Sequence, residues 1–247
     1  MHAPGRGGIT ITTATITVMT MPTESSDDLA LLGLMQLVSP ALPIGAFAWS
    51  QGLESAFELD WVCGEDDLGE WLEGVLDDGL ARCELPALAR FMAAWAEDDV
   101  EALEHWNGWL AATRETAELA AEEARLGSAL TRLVTSLGLT PDEPYRLEGM
   151  GYVGVFAWLA LARGVTPRQA LLGFAWAWLE NQLAVACKAL PLGHTAAQRL
   201  IERLRPSLVA ATDAALECDD DALGPMLPGL ALASAQHETQ YSRLFRS

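Results

Sequence analysis

Lysine is almost missing from this 247-residue chain: Lys188 stands alone beside 14 arginines, and 34 acids against 15 bases leave a net charge of −19. A nucleic-acid footprint needs a basic face, so that class is excluded, and an anionic membrane surface is disfavoured for the same reason. The acidity fits a partner with basic patches or a salt-rich cytoplasm. Cysteine is scarce too. Cys63, Cys83, Cys187 and Cys218 form no C-x-x-C pair and match no zinc module, so they are expected to be free thiols in a reducing cytoplasm, mostly buried inside helices. His2, His105, His194 and His237 include no pair at i, i+3 or i+4, so no metal face is preformed and no metal or cofactor is expected. His105 is expected at the surface.

Long apolar runs are also missing. The stretch 152–162 stops at Arg163 and the stretch 170–179 stops at Glu180, short of the roughly 20 residues a bilayer demands. Both read as buried helices. No signal peptide, serine-nucleophile elbow or phosphate-binding P-loop occurs, and no catalytic residue is assigned. Gly149, Gly151 and Gly154 spell G-x-G-x-x-G, but no buried strand precedes them; they read as glycines that let helices approach. The acidic runs 65–67, 97–99 and 219–221 read as solvated helix N-termini.

What is present is a chain that is 51% hydrophobic and 20% charged, with apolar residues at helical spacing. Leu31, Leu34, Met35 and Val38 line one helix that Ser39-Pro40 stops. Further stripes run through Leu68–Leu80, Leu88–Trp95, Leu103–Leu110 and Leu126–Leu137, the last ending near Gly138. Thr166-Pro167-Arg168-Gln169 is a capping box that opens a long apolar helix to about Leu190, and Thr195 to Gln198 repeats the pattern. The expectation is an all-α, single bundle-like domain of about ten helices over residues 27–247. Residues 1–26, rich in Gly, Thr and Ser, read as a disordered extension. The loop 138–144 is the one candidate seam.

Three segments depart from this pattern. The apolar loop from Ser39 to Glu54 contains Pro43, Gly45, Phe47, Ser50, Gly52 and Leu53, with Ser50 as a candidate N-cap. It either folds over its own core or forms an interface. Glu180, Asn181 and Gln182 interrupt an apolar helix and need partners if buried; Lys188 follows in its last turn, before Pro191-Leu192-Gly193. The tail runs from His237 and Glu238 to Ser247, with Tyr241, Leu244 and Phe245 at i, i+3, i+4 and Arg243 between them, a composition that suits docking.

Together these segments resemble the urease accessory protein UreF family, whose motifs S-P-x-L-P-x-G-x-F-x-x-S-x-G-L-E, E-N-Q followed by K-x-x-P-L-G-Q, and H-E-x-x-Y-S-R-L-F-x-S occur in order at 39–54, 180–193 and 237–247. The resemblance spans about residues 28–247. Departures are Ala48-Trp49 for the usual Ser-Tyr, His194 for the usual Gln, and an eroded stretch at 151–157. The resemblance implies a cytoplasmic, non-enzymatic chaperone for nickel insertion. It would be a homodimer that binds UreD (also called UreH) and recruits the nickel-carrying GTPase UreG for delivery to apo-urease. It also implies that the tail and the N-terminal loop serve UreD docking or dimer contacts, and that Lys188 with Pro191, Leu192 and Gly193 faces the GTPase. The rival readings are an all-α enzyme using Glu180, Asn181, Gln182 and Lys188, and a purely structural helical subunit.

Overall fold

The structure, a computed structural model, describes residues 26–247. The expected N-terminal extension, with the weak alternation at 10–20, lies outside the described residues. Among them are ten α-helices, four short 3-10 turns and no strand, in agreement with the all-α expectation.

Helix α1 (Ser26–Leu37) ends just before Ser39-Pro40, as the pre-proline constraint predicts. After a loop and the short α2 (Leu53–Glu58), α3 (Glu65–Asp78) starts on its acidic triplet, which complements the helix dipole. The next four are α4 (Glu84–Glu97), α5 (Val100–Ala112), α6 (Ala117–Ser136) and α7 (Tyr152–Ala162). Asp99 and Thr116 cap α5 and α6 through their side chains. The remaining helices are α8 (Pro167–Ala189), α9 (His194–Glu217) and α10 (Pro228–His237).

The two capping boxes part company. At Thr166 both reciprocal bonds form. At Thr195 they do not: α9 begins two residues earlier, at His194, with Gly193 as its N-cap and no side-chain cap. Of the acidic runs, 97–99 meets a helix N-terminus only at Asp99, the N-cap of α5, and 219–221 opens no α-helix. Glu97 ends α4 while Asp98 sits in the left-handed region as its C-cap, and 219–221 lead only a three-residue 3-10 turn.

Helix α7 is apolar all round, and seven of its eleven residues are buried. It packs between α4 and α6, with α8 against α4 and α9, and α3 and α5 outside. One hydrophobic cluster runs through all of these, so the loop at 138–144 divides nothing. The glycine motif serves close approach. A Cβ on Gly127 of α6 would lie 2.5 Å from the Met150 carbonyl oxygen, and one on Gly151 would lie 2.6 Å from the Glu123 carboxylate. That carboxylate accepts the Val153 N–H at the start of α7 (3.0 Å). All four cysteines are free, but only Cys83 is buried and only Cys187 lies within an α-helix. His105 is exposed, as expected.

Candidate functional site at the meeting of three segments

The loop 39–54, the second half of α8 and the C-terminal tail, far apart in sequence, meet on one side of the molecule. Gly45 and Gly52 make this possible. Both have positive φ (81° and 78°), and a Cβ on Gly52 would come within 3.0 Å of the Ser234 backbone nitrogen, so α2 can start directly against α10 only with glycine there. Gly52, not Ser50, is the N-cap of α2.

Ser50 is instead bound to the chain end. Its N–H donates to the Ser247 carbonyl (2.9 Å), and its hydroxyl donates to the same oxygen. Arg246 N–H donates to the Ala48 carbonyl (2.8 Å) and Gln51 N–H to the Ser247 hydroxyl (3.1 Å). Glu54, only 4% exposed, holds the tail from the other side. Its carboxylate accepts the N–H groups of Leu244 (2.6 Å) and Phe245 (2.9 Å) and lies 3.2 Å from His237 Nε2. The His237 ring reaches Glu118 on α6 with Nδ1 (2.7 Å), and Arg243 donates to the other Glu118 oxygen (2.7 Å). Glu238 caps α6, accepting from the N–H groups of Ala117 and Glu118.

The tail therefore is not a free helical face. Tyr241, Leu244 and Phe245 do not share a side: Tyr241 is fully exposed, Leu244 is 56% exposed, and Phe245 is buried beneath the Lys188 ammonium, 4.6 Å from its ring centre. Of the residues the sequence singles out, Ser50, Gly52, Leu53, Glu54, Gln182, His237 and Phe245 face inward. Gly45, Glu180, Asn181 and Leu192 are half-buried. Pro43, Phe47, Lys188, Pro191, Gly193, Glu238, Tyr241, Arg243 and Leu244 are exposed. The N-terminal loop folds over its own core through Ile44 and Trp49, while Phe47 stands 71% exposed.

Two of the three polar residues of α8 find partners in the loop. Asn181 donates to the Trp49 carbonyl (3.2 Å) and Gln182 to the Gln51 amide oxygen (3.3 Å), which also accepts from the Trp178 indole (2.8 Å). Gln51, held at φ +52°, completes the link by donating to Glu122 on α6 (3.0 Å). Sequence reasoning missed Gln51, Glu118, Glu122 and Arg114. Glu118 and Glu122 carry one local signal, acids beside the apolar stripe of α6; Gln51 and Arg114 lie in loops, where the sequence carries none.

Beside this junction lies a cleft of about 600 Å³, lined in part by Leu42, Phe47, Gln51, Arg114, Glu122 and Lys188. The Arg114 guanidinium is paired with Glu84 and with Glu123 (2.8 Å). Burial pushes the Cys83 thiol far up, which makes it a poor nucleophile. Burial also raises the Glu122 carboxyl from 4.5 to about 8, against the Gln51 hydrogen bond and Arg114. Between those two values the unfolded chain releases a proton that the folded chain keeps. The contribution of Glu122 to stability is thus full below about pH 4.5 and lost by about pH 8. Glu122→Gln, which mimics the protonated acid, is expected to be more stable than wild type by on the order of 2–4 kcal/mol at pH 8, and equal to it near pH 4.5. Urea unfolding across that range measures the difference.

The UreF family model matches residues 62–205. The chain belongs to the UreF family. The chain is 70% identical over 226 residues to the urease accessory protein UreF of Marinobacter nauticus, covering 92% of this chain and 98% of that protein. It is 70% identical over 228 residues to UreF of Chromohalobacter salexigens, with 92% and 99% covered, and 45% identical over 229 residues to UreF of Alkalilimnicola ehrlichii, with 92% and 100% covered. The chain is thus a member of a urease accessory family. The family match takes in the E-N-Q and K-x-x-P-L-G segment of α8, but neither the 39–54 loop nor the tail. Among the described residues no helix is long and apolar enough to cross a membrane, and no group of three or more His, Cys, Asp or Glu side chains is placed to hold a metal ion.

Proposed function

We propose that this chain is a non-enzymatic adaptor in urease maturation, joining UreD (UreH) and the GTPase UreG in a cytoplasmic complex that delivers nickel to apo-urease. Nickel is the cargo of that complex. The observation that carries the reading is the junction itself. Three sequence-distant motifs are tied together by hydrogen bonds among themselves, and the side chains left on its rim (Phe47, Lys188, Tyr241, Leu244) are the aromatic, apolar and cationic types that dominate docking surfaces. The enzyme alternative is weakened by the same bonds, because Asn181 and Gln182 are engaged with the loop.

Removing the whole tail is a poor test, since it deletes buried His237 and Phe245 along with the exposed residues. Tyr241→Ser with Leu244→Ser changes only exposed side chains. This double variant is expected to keep wild-type helix content and unfolding midpoint and to lose co-purification with UreD by about tenfold or more, a loss typical of hot-spot truncation. Undiminished UreD capture would remove the tail from the docking surface.

A second copy is proposed to cover α1. Leu29, Leu31, Leu32 and Met35 are each more than half exposed on one helix. A chain of net charge −19 associates with itself most readily where charge is lowest. Leu32→Arg is expected to shift the purified chain from dimer to monomer in sedimentation; an unchanged mass would exclude this face.

A further inference from the structure

Nine arginines of the described chain lie within 4 Å of a carboxylate. Five cations among the described residues do not: Arg125, Arg132, Arg163, Lys188 and Arg246. Arg163 donates to the Gly33 carbonyl (2.7 Å) at the far end of α1. Three of the other four stand at the junction, and Arg132 lies further along α6. The Arg125 guanidinium stands 5.7 Å from the centre of the Trp49 ring and the Arg246 guanidinium 5.9 Å from the same ring. Arg132 follows Arg125 by seven residues on α6, two turns along the same face and about 10 Å away. Lys188 covers Phe245, the chain neighbour of Arg246. The two rings are buried and all four cations are exposed.

The carboxylates nearest to them are engaged elsewhere. Glu54 is occupied by the tail N–H groups and His237, and Glu118 by His237 and Arg243. Glu122 accepts from Gln51, and Glu123 from Arg114 and Val153. The Ser247 carbonyl oxygen is held by Ser50. A guanidinium lying on an aromatic face still presents its N–H edge, the edge that grips a carboxylate bidentately.

We infer that Arg125, Arg132, Arg246 and Lys188 form a docking strip for an acidic segment of a partner protein. A nucleic acid is the wrong occupant: its long charged backbone would feel the net charge of −19. A short acidic segment feels mainly what lies within the Debye length, about 8 Å at physiological ionic strength, and on the strip that includes four exposed cations with no carboxylate within 4 Å. Which accessory protein supplies the segment rests on the adaptor reading above; the chemistry of the strip does not.

The test uses the full chain and two measurements: binding of a fluorescein-labelled oligo-glutamate peptide, and co-purification with the accessory proteins. Arg125→Glu with Arg246→Glu leaves the backbone bond from Arg246 to Ala48 in place. It is expected to weaken peptide binding about tenfold or more at low salt and to weaken partner capture in parallel. Arg125→Lys with Arg246→Lys is expected to retain most of both. Arg168→Glu with Arg205→Glu, which reverses two surface charges elsewhere, is expected to change either by less than about twofold. Peptide binding and capture both unaffected by the first pair would overturn the strip while leaving the adaptor intact, and so would an equal loss from the Arg168/Arg205 pair. Peptide binding that depends on Arg125 and Arg246 in a chain that captures no accessory protein would uphold the strip and overturn the adaptor.

Discussion

Glu54→Ala is expected to destabilise the protein by about 3–5 kcal/mol and to release the last residues of the chain. The carboxylate is buried, and it accepts two tail N–H groups and faces His237. Without it, the Leu244 and Phe245 N–H groups lose their acceptor in a place that water reaches poorly, at about 1–3 kcal/mol for each donor left unmet. The imidazole also loses the hydrogen-bond partner of its buried Nε2. Against a typical domain stability of about 5–15 kcal/mol this is a large fraction. Urea unfolding reads the stability, and amide hydrogen exchange at residues 244–247 reads the tail. Glu54→Gln keeps the shape and one acceptor oxygen but turns an N–H donor toward a donor, so about half the loss is expected. Unchanged exchange in the tail of Glu54→Ala would mean that the Ser50–Ser247 and Ala48–Arg246 bonds alone suffice to hold it.

Arg114→Met is expected to have an effect of similar size by a different route. The guanidinium sits between Glu84 and Glu123, with side chains only 13%, 17% and 13% exposed, respectively. Burial disfavours its charge, but the two carboxylates hold the proton on more firmly than usual. Removing it leaves two carboxylates facing each other without a cation, at about 3–5 kcal/mol. Those carboxylates would then take up protons, so the deficit should shrink as pH falls. Adding Glu84→Gln and Glu123→Gln to Arg114→Met should restore much of the loss, because the amide oxygen at 123 can still accept from Val153 and no uncompensated charge remains. Thermal unfolding at several pH values measures all of this. A deficit that stays flat from neutral to acidic pH would mean that lost packing, not charge, is responsible.

The sequence by itself determined the all-α class, most helix limits and the family. Each of these is written locally: apolar residues at helical spacing, Pro40 and Gly138 as stops, the Thr166–Gln169 box as a start, and three motifs in order. Where local logic failed, a long-range contact overrode it. Ser50 has the right residue type for an N-cap, but the chain end claims its hydroxyl and Gly52 takes the cap. Thr195 repeats a capping pattern, but α9 begins two residues earlier, with Gly193 as its N-cap. Tyr241, Leu244 and Phe245 have helical spacing, but Glu54 binds their segment through backbone N–H groups, which fixes an irregular path that separates the three side chains.

Only the tertiary structure decided which polar residues are structural and which are presented outward. Glu54, Gln182 and His237 look like docking residues in a sequence, because motif residues that pin a surface together carry the same chemistry as residues that contact a partner. Arg125 and Arg246, 121 positions apart, acquire meaning only when folding brings both to the Trp49 ring. Electrostatic environment depends on distance through space and on exclusion of water, and neither is encoded in sequence spacing.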